Sequence, residues 1–379
     1  MDHAAAKGRI GAKGHMKYHH GDSYGIDSDL VGKVTSIRQD HHGNPVVIVS
    51  TKDSDLVLSS HQNGRRKRGV SGISTLSSFS VGDILLLMAD GTVVVEYARG
   101  SNDNSLFITD KCNCDCICCP QPRRTSKSYL QINKSIVDLL NYDVDVLGMT
   151  GGEPTVEYKE LLEIIRYSKE RLPNIKLQLL TNGIALNDKD KVKEIVRLGK
   201  QSVSFHIPLF ADTPSIHNAI TITEGFYPTI DALYNIASMC QSIEIRIVIL
   251  AQNADRLPNI AEFIYNNFPF TQHVAFMGLE PIGQALDNIE SLWVDPADIT
   301  KELIKAVKYL IRADMSVSLY NFPLCVLPIC LHPYARKSIS DWKKILLDNC
   351  QNCAKRFSCS GLFMSQSEGF RSRLVGSVY

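Results

Sequence analysis

Short apolar segments alternate with helix-like segments along residues 105–315, and this alternation constrains the fold more than any other feature of the chain. The apolar segments read SLFIT, VDVLG, KLQLL, SVSFH, EIRIVIL and HVAFMGL, and a segment of helical pattern follows each. Strands that alternate with helices pair in parallel through right-handed crossovers. Six such units predict an α/β fold, an open and partial (β/α)6 version of the TIM barrel, with its chemistry at the carboxyl ends of the strands.

The rest of the chain divides into smaller regions around this core. A chain of 379 residues holds one large domain with small additions. Residues 1–28 are rich in Gly, Ala and His, and we expect a flexible tail there. Residues 29–104 contain short apolar runs between turn residues, which predicts a small β-rich N-terminal domain. The core follows at 105–315, and a Cys-rich extension occupies 316–379.

Composition narrows the class of protein. The 41 basic and 40 acidic residues leave a net charge of +1, so no global field favours nucleic acid or an anionic membrane. The sequence has no apolar run long enough to span a bilayer and no apolar core of a signal peptide at its start. Eleven cysteines without an export signal indicate metal ligation in a reducing compartment. We therefore expect a cytoplasmic metalloprotein.

The densest group of cysteines follows the first predicted strand. Five cysteines lie within CNCDCICC, and only Cys112, Cys116 and Cys119 have the spacing C-x3-C-x2-C. A frame that starts at Cys114 would need a cysteine where Gln121 stands. Three thiolates on one loop can hold three irons of a [4Fe–4S] cluster and leave the fourth iron without a protein ligand.

Zinc is the alternative for this loop. Cys116 and Cys119 form a C-x2-C pair of the kind that structural zinc sites use. A structural zinc site needs four ligands, usually as two pairs a dozen or more residues apart, whereas these thiols crowd one short loop ahead of a long α/β pattern. The pattern favours the cluster. No role is assigned to Cys114 or Cys118.

A Gly-Gly-Glu-Pro turn ends the second predicted strand. Gly151 and Gly152 let the backbone approach a ligand closely. The carboxylate of Glu153 and the carbonyl of Pro154 can accept hydrogen bonds from an ammonium group. Any strand-to-helix turn could have this sequence, but here it begins 32 residues after Cys119 and one strand further on.

Polar residues also mark the ends of later strands. Thr181 and Asn182 precede a glycine at the end of the third strand, where an ordinary Asn-Gly turn is the alternative interpretation. Ser204 and His206 occupy alternate positions of the fourth strand and so face the same way. Arg246 lies inside the apolar fifth strand, which indicates a polar barrel lumen.

These elements together resemble the radical SAM superfamily. The resemblance implies that the open iron chelates the amino and carboxylate groups of S-adenosylmethionine (SAM). It assigns the amino group to the turn at 151–154 and the adenosine to the Thr181–Asn182 element. Among the remaining candidates, Ser204 and His206 line the same cofactor site, Arg246 can bind the methionyl carboxylate through a bidentate pair, and Asn253 is a candidate for the ribose.

The extension carries a second group of cysteines. Cys350, Cys353 and Cys359 have the spacing C-x2-C-x5-C, which resembles the end of the SPASM and Twitch modules that hold auxiliary [4Fe–4S] clusters. Cys325 ends a strand-like segment and can supply a fourth thiolate, while Cys330 is a spare or alternative ligand. Four thiolates also suit zinc, and that alternative is stronger here than at the first loop.

Three stretches narrow the resemblance to the His-Xaa-Ser system radical SAM maturase of the C type. They are HVAFMGLEPIGQALDNIESLWVDPAD, YNFPLCVLP and SISDWKKILLDNCQNCAKRFSCSGLF, together with CNCDCICCPQP at the first cysteine loop. The resemblance covers about 105–365 and includes the small domain before the barrel. The sequence departs from the family pattern at Cys114, Cys118 and Cys330.

The resemblance implies an oxidoreductase of peptide maturation. Such an enzyme cleaves SAM reductively to a 5′-deoxyadenosyl radical, which abstracts hydrogen from a small peptide of the His-Xaa-Ser type. The implied partners are that peptide, a second, paired radical SAM protein, and an electron donor such as flavodoxin or ferredoxin. Two alternatives remain open: a radical SAM enzyme that acts on RNA or a small metabolite, and a non-enzymatic zinc-binding adaptor.

Overall fold

The computed structural model describes residues 18–61, 67–121, 128–367 and 369–376. Three sheets organise this part of the chain: an eight-stranded N-terminal sheet, a seven-stranded parallel sheet and a two-stranded sheet near the C-terminus. The predicted class, a partial TIM-like α/β barrel preceded by a small β-rich domain, is confirmed.

The N-terminal sheet has the strand order β1-β8-β7-β3-β4-β5-β6-β2, and only β5 and β6 pair in parallel. Its edge strands β1 and β2 are separated by Gly21 alone, so the sheet curls into a nearly closed barrel. In chain order the strands are β1 (Tyr18–His20), β2 (Asp22–Tyr24), β3 (Leu30–Gln39), β4 (Pro45–Ser50), β5 (Asp55–Ser59), β6 (Gly69–Ser71), β7 (Ile84–Leu87) and β8 (Thr92–Tyr97).

The flexible tail expected over residues 1–28 is too long. Strand β1 pairs with β8 and strand β2 pairs with β6, so this part of the predicted tail belongs to the sheet. The sequence hid these strands because each has only three residues, YHH and DSY, which are too short and too polar to show an alternating pattern. Residues 1–17 lie outside the described part of the chain.

The parallel sheet contains the six predicted strands and one more. Its strands follow one another in the order of the sequence, and every neighbouring pair is parallel. The seventh strand lies in the segment that the sequence assigns to the extension, so the barrel continues past the predicted boundary at 315. The strands are β9 (Ser105–Phe107), β10 (Val146–Thr150), β11 (Lys176–Leu180), β12 (Val203–Pro208), β13 (Ser242–Val248), β14 (His273–Met277) and β15 (Val317–Tyr320).

Amphipathic helices cover the outer face of this sheet. In TKELIKAVKYLIR the buried residues Leu303, Ala306, Val307 and Leu310 recur at helical spacing and form one apolar face. The helices are α1 (Leu130–Leu139), α2 (Tyr158–Arg171), α3 (Lys189–Leu198), α4 (Pro214–Thr221), α5 (Phe226–Ser238), α6 (Leu257–Asn267), α7 (Gln284–Asp287), α8 (Ile289–Leu292) and α9 (Thr300–Arg312).

Strand β13 shows why the barrel lumen is polar. Ile243, Ile245 and Ile247 are fully buried in the core cluster of the barrel. Because side chains alternate along a strand, Glu244 and Arg246 point to the opposite face, into the lumen. The central strands therefore build the core with one face and a site with the other.

The C-terminal extension packs across the top of the barrel. It contains the short antiparallel pair β16 (Lys344–Ile345) and β17 (Leu362–Phe363). Lys343 Nζ lies 2.8 Å from Glu280 Oε2, just beyond the end of β14, and this contact ties the extension to the barrel. Among the described residues, no helix combines the length and apolar character needed to cross a membrane.

Candidate active site

The first cysteine loop leaves β9 and is held on two sides. Asp115 N donates to Thr221 O at 3.0 Å and Ile117 N donates to Ile220 O at 3.0 Å, which fixes the loop to the end of α4. On the other side Ala285 N donates to Cys119 O at 3.2 Å. The loop therefore lies at the carboxyl end of the parallel strands, as predicted.

Burial divides the five thiols of this loop into two sets. Cys112 is exposed, and Cys116 and Cys119 are partly exposed. Cys114 and Cys118 are only 8% and 6% exposed, and Cys118 belongs to an apolar cluster under the loop. The three cysteines of the C-x3-C-x2-C frame are thus the more accessible ones, and their role as cluster ligands stays a prediction.

The surroundings of two of these thiols favour their protonated form. A hydrogen bond with Cys114 raises the pKa of Cys112 far above its ordinary value, and burial raises the pKa of Cys119. Within the described ranges, no three His, Cys, Asp or Glu side chains already have the geometry of a bound metal ion. The donor chemistry fits an iron–sulfur cluster, whose binding would draw the thiols together and release their protons.

The Gly-Gly-Glu-Pro turn is hydrogen-bonded to the start of the cysteine loop. Gly152 N donates to Thr109 O at 2.7 Å, and Glu153 N donates to Lys111 O at 2.8 Å. A Cβ on Gly152 would lie 2.3 Å from the Lys111 carbonyl oxygen. The lack of a side chain at Gly152 therefore admits the backbone that leads to Cys112, and the expectation that the glycines make room for a ligand stays a prediction.

Glu153 is fully enclosed and its carboxylate is saturated. Oε1 accepts from Thr155 N at 3.0 Å, from Thr155 Oγ1 at 2.7 Å and from Thr181 Oγ1 at 2.7 Å. Oε2 accepts from Asn182 N at 2.6 Å. Burial raises the pKa of Glu153, and these hydrogen bonds oppose the rise. The expected contact of this carboxylate with an ammonium group is not available, and Glu153 instead joins two strand ends.

Asn182 links the third strand to the cysteine loop. Its Nδ2 donates to Asn113 Oδ1 at 2.7 Å and to Cys114 Sγ at 3.3 Å. Its backbone N–H donates to Glu153, and its carbonyl accepts from Thr229 Oγ1 at 3.0 Å. The cysteine loop and the 151–154 and 181–183 turns thus form one hydrogen-bonded unit, as their placement at strand ends predicted.

The lumen contains a polar network around Glu244, a residue that the sequence reasoning missed. His206 Nδ1 lies 3.0 Å from Glu244 Oε1, and His273 Nδ1 lies 2.6 Å from Glu244 Oε2. Ser204 Oγ lies 3.1 Å from His206 Nε2, and Arg246 Nε donates to Glu244. Ser204, His206 and Arg246 are thereby brought together, as expected. The signal for Glu244 was its alternation with Arg246 in EIRIVIL.

Hydrogen bonds and an opposite charge inside the barrel stabilise the ionised form of Glu244. Burial disfavours the Glu244 carboxylate, but hydrogen bonds from His206 and His273 and the charge of Arg246 outweigh burial and hold its pKa well below the usual range. Burial lowers the pKa of His206. Near neutral pH the network therefore holds one carboxylate, one guanidinium and a neutral His206.

Asn253 does not serve the site directly. The residue is completely buried, and its Nδ2 donates to Phe210 O at 2.8 Å and to Val248 O at 2.9 Å. Its Oδ1 accepts from Leu250 N at 2.9 Å. Every polar atom of the amide is used to shape the loop after β13, so none of them is offered to a ribose in this structure.

The cysteines of the extension converge. Cys325, Cys350, Cys353 and Cys359 line one small cavity, although 25 residues separate the first from the second in the sequence. Cys330 is exposed and does not line this cavity. Burial raises the pKa of Cys325, and the nearby Cys359 and Cys350 also contribute to the increase. The four cysteines therefore share a cavity without having the geometry of a metal site, and their role as ligands stays a prediction.

The sulfur of Cys359 accepts two backbone hydrogen bonds. Its Sγ accepts from Leu324 N at 3.3 Å and from Gly361 N at 3.4 Å. Backbone N–H groups that point at a sulfur stabilise a thiolate and tune the potential of a cluster bound to it. The same donors would support a zinc thiolate.

One family model matches part of the barrel. Residues 106–264 match the family model described as the radical SAM superfamily. The match begins in β9 and ends in α6, so it includes the cysteine loop, both turns and the lumen residues of β12 and β13.

The curated relatives match only in part. The probable GTP 3′,8-cyclase of Saccharolobus islandicus is 27% identical over 118 residues, 30% of this chain and 38% of the relative. The GTP 3′,8-cyclase of Paenarthrobacter nicotinovorans is 32% identical over 105 residues, 26% of this chain and 29% of the relative. That of Clostridium botulinum is 24% identical over 240 residues, 60% and 72% of the two chains. The chain thus spans less than half of the first relatives' length.

Solved structures give distant likenesses. The structure described as native anSMEcpe with bound AdoMet has a TM-score of 0.45 and 18% identity, and covers 57% of this chain and 62% of that chain. Streptococcus suis SuiB bound to S-adenosylmethionine has a TM-score of 0.42 and 16% identity, and covers 57% and 46%.

Proposed function

We propose that this chain, which carries a radical SAM domain at residues 106–264, cleaves SAM reductively at a [4Fe–4S] cluster and uses the resulting radical to modify a small peptide. One observation carries the proposal. The accessible C-x3-C-x2-C thiols, the 151–154 turn and the 181–183 turn form a single hydrogen-bonded unit at the mouth of the parallel barrel.

The position of each residue in the site indicates its role in the proposed reaction. Cys112, Cys116 and Cys119 would hold the cluster, which when bound supplies the electron that splits SAM into methionine and a 5′-deoxyadenosyl radical. Glu153 holds the two turns together beneath that site. Arg246 presents a guanidinium whose orientation is fixed by Glu244, and it is the candidate to bind the methionyl carboxylate.

The second cysteine group supports a peptide-modifying enzyme. The convergence of Cys325, Cys350, Cys353 and Cys359 fits an auxiliary [4Fe–4S] cluster with all four irons ligated by protein, and structural zinc is the alternative. The resemblance to the His-Xaa-Ser maturase also favours a peptide. The proposed partners are therefore a small repeat-bearing peptide, a paired radical SAM protein, and flavodoxin or ferredoxin as electron donor.

A nucleotide substrate is the second candidate, because several relatives are named GTP 3′,8-cyclase. Among the described residues, three basic side chains near the barrel mouth are paired with carboxylates, and pairing reduces their attraction for a triphosphate. The pairs are Lys111–Glu157, Arg256–Asp212 and Lys343–Glu280.

The first experiment tests the core reaction. Anaerobically reconstituted protein is incubated with SAM and dithionite, and 5′-deoxyadenosine is measured by mass spectrometry. We expect product with the wild type and none with the triple Cys112→Ala, Cys116→Ala, Cys119→Ala variant. Cys330→Ala removes an exposed cysteine from neither group and serves as the matched control. Product from the triple variant at the wild-type rate would overturn the assignment.

The second experiment tests the extension. If it holds a cluster, reconstituted wild type should contain about eight irons and Cys353→Ala about four. Stoichiometric zinc with about four irons would make the extension a structural zinc site.

The substrate class is tested by binding. Anaerobic calorimetry with GTP and with a His-Xaa-Ser repeat peptide separates the two candidates. Binding and GTP-dependent turnover, without peptide binding, would replace the peptide proposal with a cyclase.

A further inference from the structure

A cavity of about 540 Å³ lies between the N-terminal sheet and the parallel barrel. Residues of β3, β7 and β8 line it on one side, and residues of the loop before β10 and of β11 line it on the other. Asn104 precedes β9 and Val146 begins β10, so the cavity lies at the amino end of the parallel strands, opposite to the cysteine loop. Ligand sites have volumes of about 300–1,000 Å³ and occur preferentially between domains. Size and position therefore fit a ligand site separate from the proposed active site.

Lys33 lines this cavity with a cation that the protein uses only in part. Its Nζ donates to Leu139 O at 2.9 Å and to Asn141 Oδ1 at 2.7 Å, and both acceptors are neutral. An ammonium group has three donors, so one remains for a ligand. Burial lowers the pKa of Lys33, the positive charge of Arg99 lowers it further, and Asp143 opposes these two effects. The two cations are therefore close enough to repel each other.

Arg99 is the second cation of the lining, and its pairing is weak. Its Nη2 lies 3.6 Å from Asp143 Oδ2, and the two side chains are 52% and 66% exposed. A long, exposed ion pair contributes little, and it leaves most of the five guanidinium donors available. One further carboxylate, the exposed Asp145, also lines the cavity. The amide side chains in the lining are those of Asn102, Asn104, Asn141 and Gln178.

We propose that this cavity binds a polar ligand through an oxyanion, a carboxylate or a phosphate group, which Lys33 and Arg99 hold together. The inference goes beyond the proposed function and does not depend on it. An oxyanion accepts charge-assisted hydrogen bonds from both side chains at once, and its charge offsets the repulsion between them. A cationic ligand suits the cavity less, because Lys33 would repel it. An acidic peptide segment and a small free anion share this chemistry, and the experiment separates them.

The test measures binding to full-length, cluster-reconstituted protein by anaerobic titration calorimetry at constant ionic strength. The probes are inorganic phosphate, succinate and triglutamate. We expect at least one of them to bind the wild type with a Kd below about 1 mM. Arg99→Gln should weaken this binding roughly tenfold, because it removes a hydrogen bond between charged groups. Asp143→Asn should strengthen it about two- to fivefold, because it frees Arg99 from its counter-charge. A general loss of structure would not move the two affinities in opposite directions.

Arg38→Gln is the matched control. It removes another arginine of the N-terminal sheet, but Arg38 is exposed on β3 and does not line the cavity. We expect it to leave the affinity for each probe unchanged.

The probes also identify the source of the oxyanion. Tightest binding of triglutamate would support an acidic peptide segment as the occupant, and tightest binding of phosphate or succinate would support a small anion. The inference is overturned if no probe binds the wild type with a Kd below about 1 mM. It is also overturned if Arg99→Gln and wild type bind equally well. If SAM cleavage fails while these affinities change as expected, the proposed function falls and the cavity keeps its assignment.

Discussion

Glu153→Gln tests whether the buried carboxylate holds the barrel mouth together. The carboxylate accepts four hydrogen bonds, two of them from the backbone N–H groups of Thr155 and Asn182. Glutamine offers one acceptor oxygen and an amide that donates. The hydroxyls of Thr155 and Thr181 can rotate to accept from this amide, but a backbone N–H can only donate. In either orientation of the amide, therefore, the N–H of Thr155 or that of Asn182 faces the amide NH2 group and has no acceptor.

The magnitude follows from this count. A buried N–H without a partner costs about 1–3 kcal/mol, and the remaining bonds weaken because they lose charge assistance. Burial of a neutral amide in place of a carboxylate offsets part of the loss. We expect a net destabilisation of about 2 kcal/mol, equivalent to a fall in Tm of about 4–8 °C for a unit of this barrel's size.

Differential scanning calorimetry of cluster-free protein measures the effect, with Glu157→Gln as control. Glu157 lies four residues after Glu153, but its ion pair with Lys111 is partly exposed, so the control should shift Tm little. A Tm for Glu153→Gln equal to that of the control would refute the reasoning, since it would mean that the four hydrogen bonds do not stabilise the folded state.

Three further predictions concern neighbouring residues. Gly152→Val should prevent cluster assembly, seen as lost iron, because its side chain would displace the Lys111 backbone beside Cys112. Burial lowers the pKa of His217 from 6.5 to about 4, so the free energy of unfolding should decline as pH falls below 6.5. Urea titrations of His217→Phe should show a decline between neutral pH and pH 5 that is smaller by about 2 kcal/mol. Asn253→Ala should lower the free energy of unfolding by about 3 kcal/mol, with SAM affinity in the folded protein unchanged.

For each of these three predictions, one result would contradict the reasoning. Full iron content in Gly152→Val would show that the loop backbone moves aside. A pH profile of His217→Phe that parallels wild type would place the responsible proton elsewhere. A selective loss of SAM affinity in stable Asn253→Ala protein would restore the ribose contact.

The parallel barrel could be read from the sequence because its strands are apolar on one whole face and its helices have a clear periodicity. Strand β15 was recognised as strand-like but assigned to the wrong region, since no helix separates it from the cysteines that follow. Strands β1 and β2 were missed because three polar residues carry no pattern, and their place is set by pairing with distant strands.

The site was predictable in its location and less so in its chemistry. Sequence order put the cysteine loop and the two turns at strand ends, and geometry brought them together. The roles of Glu153 and Asn253 could not be read, because a Glu after two glycines or an Asn after a strand has the same letters whether its polar atoms face a ligand or the backbone. Glu244 was overlooked for the converse reason: its partners His206 and His273 come from other strands.

The two carboxylates at the barrel mouth differ in how far their own chain satisfies them. Glu153 and Asp110 are both buried and are joined through the backbone pair of Glu153 N and Lys111 O. Glu153 is surrounded by donors on its own chain, so its energy is lowest in the protein without a ligand. Oδ1 of Asp110, by contrast, has no hydrogen-bond partner among the described residues. The sequence alone does not distinguish the two, since each is an acidic residue that follows shortly after a strand of the barrel.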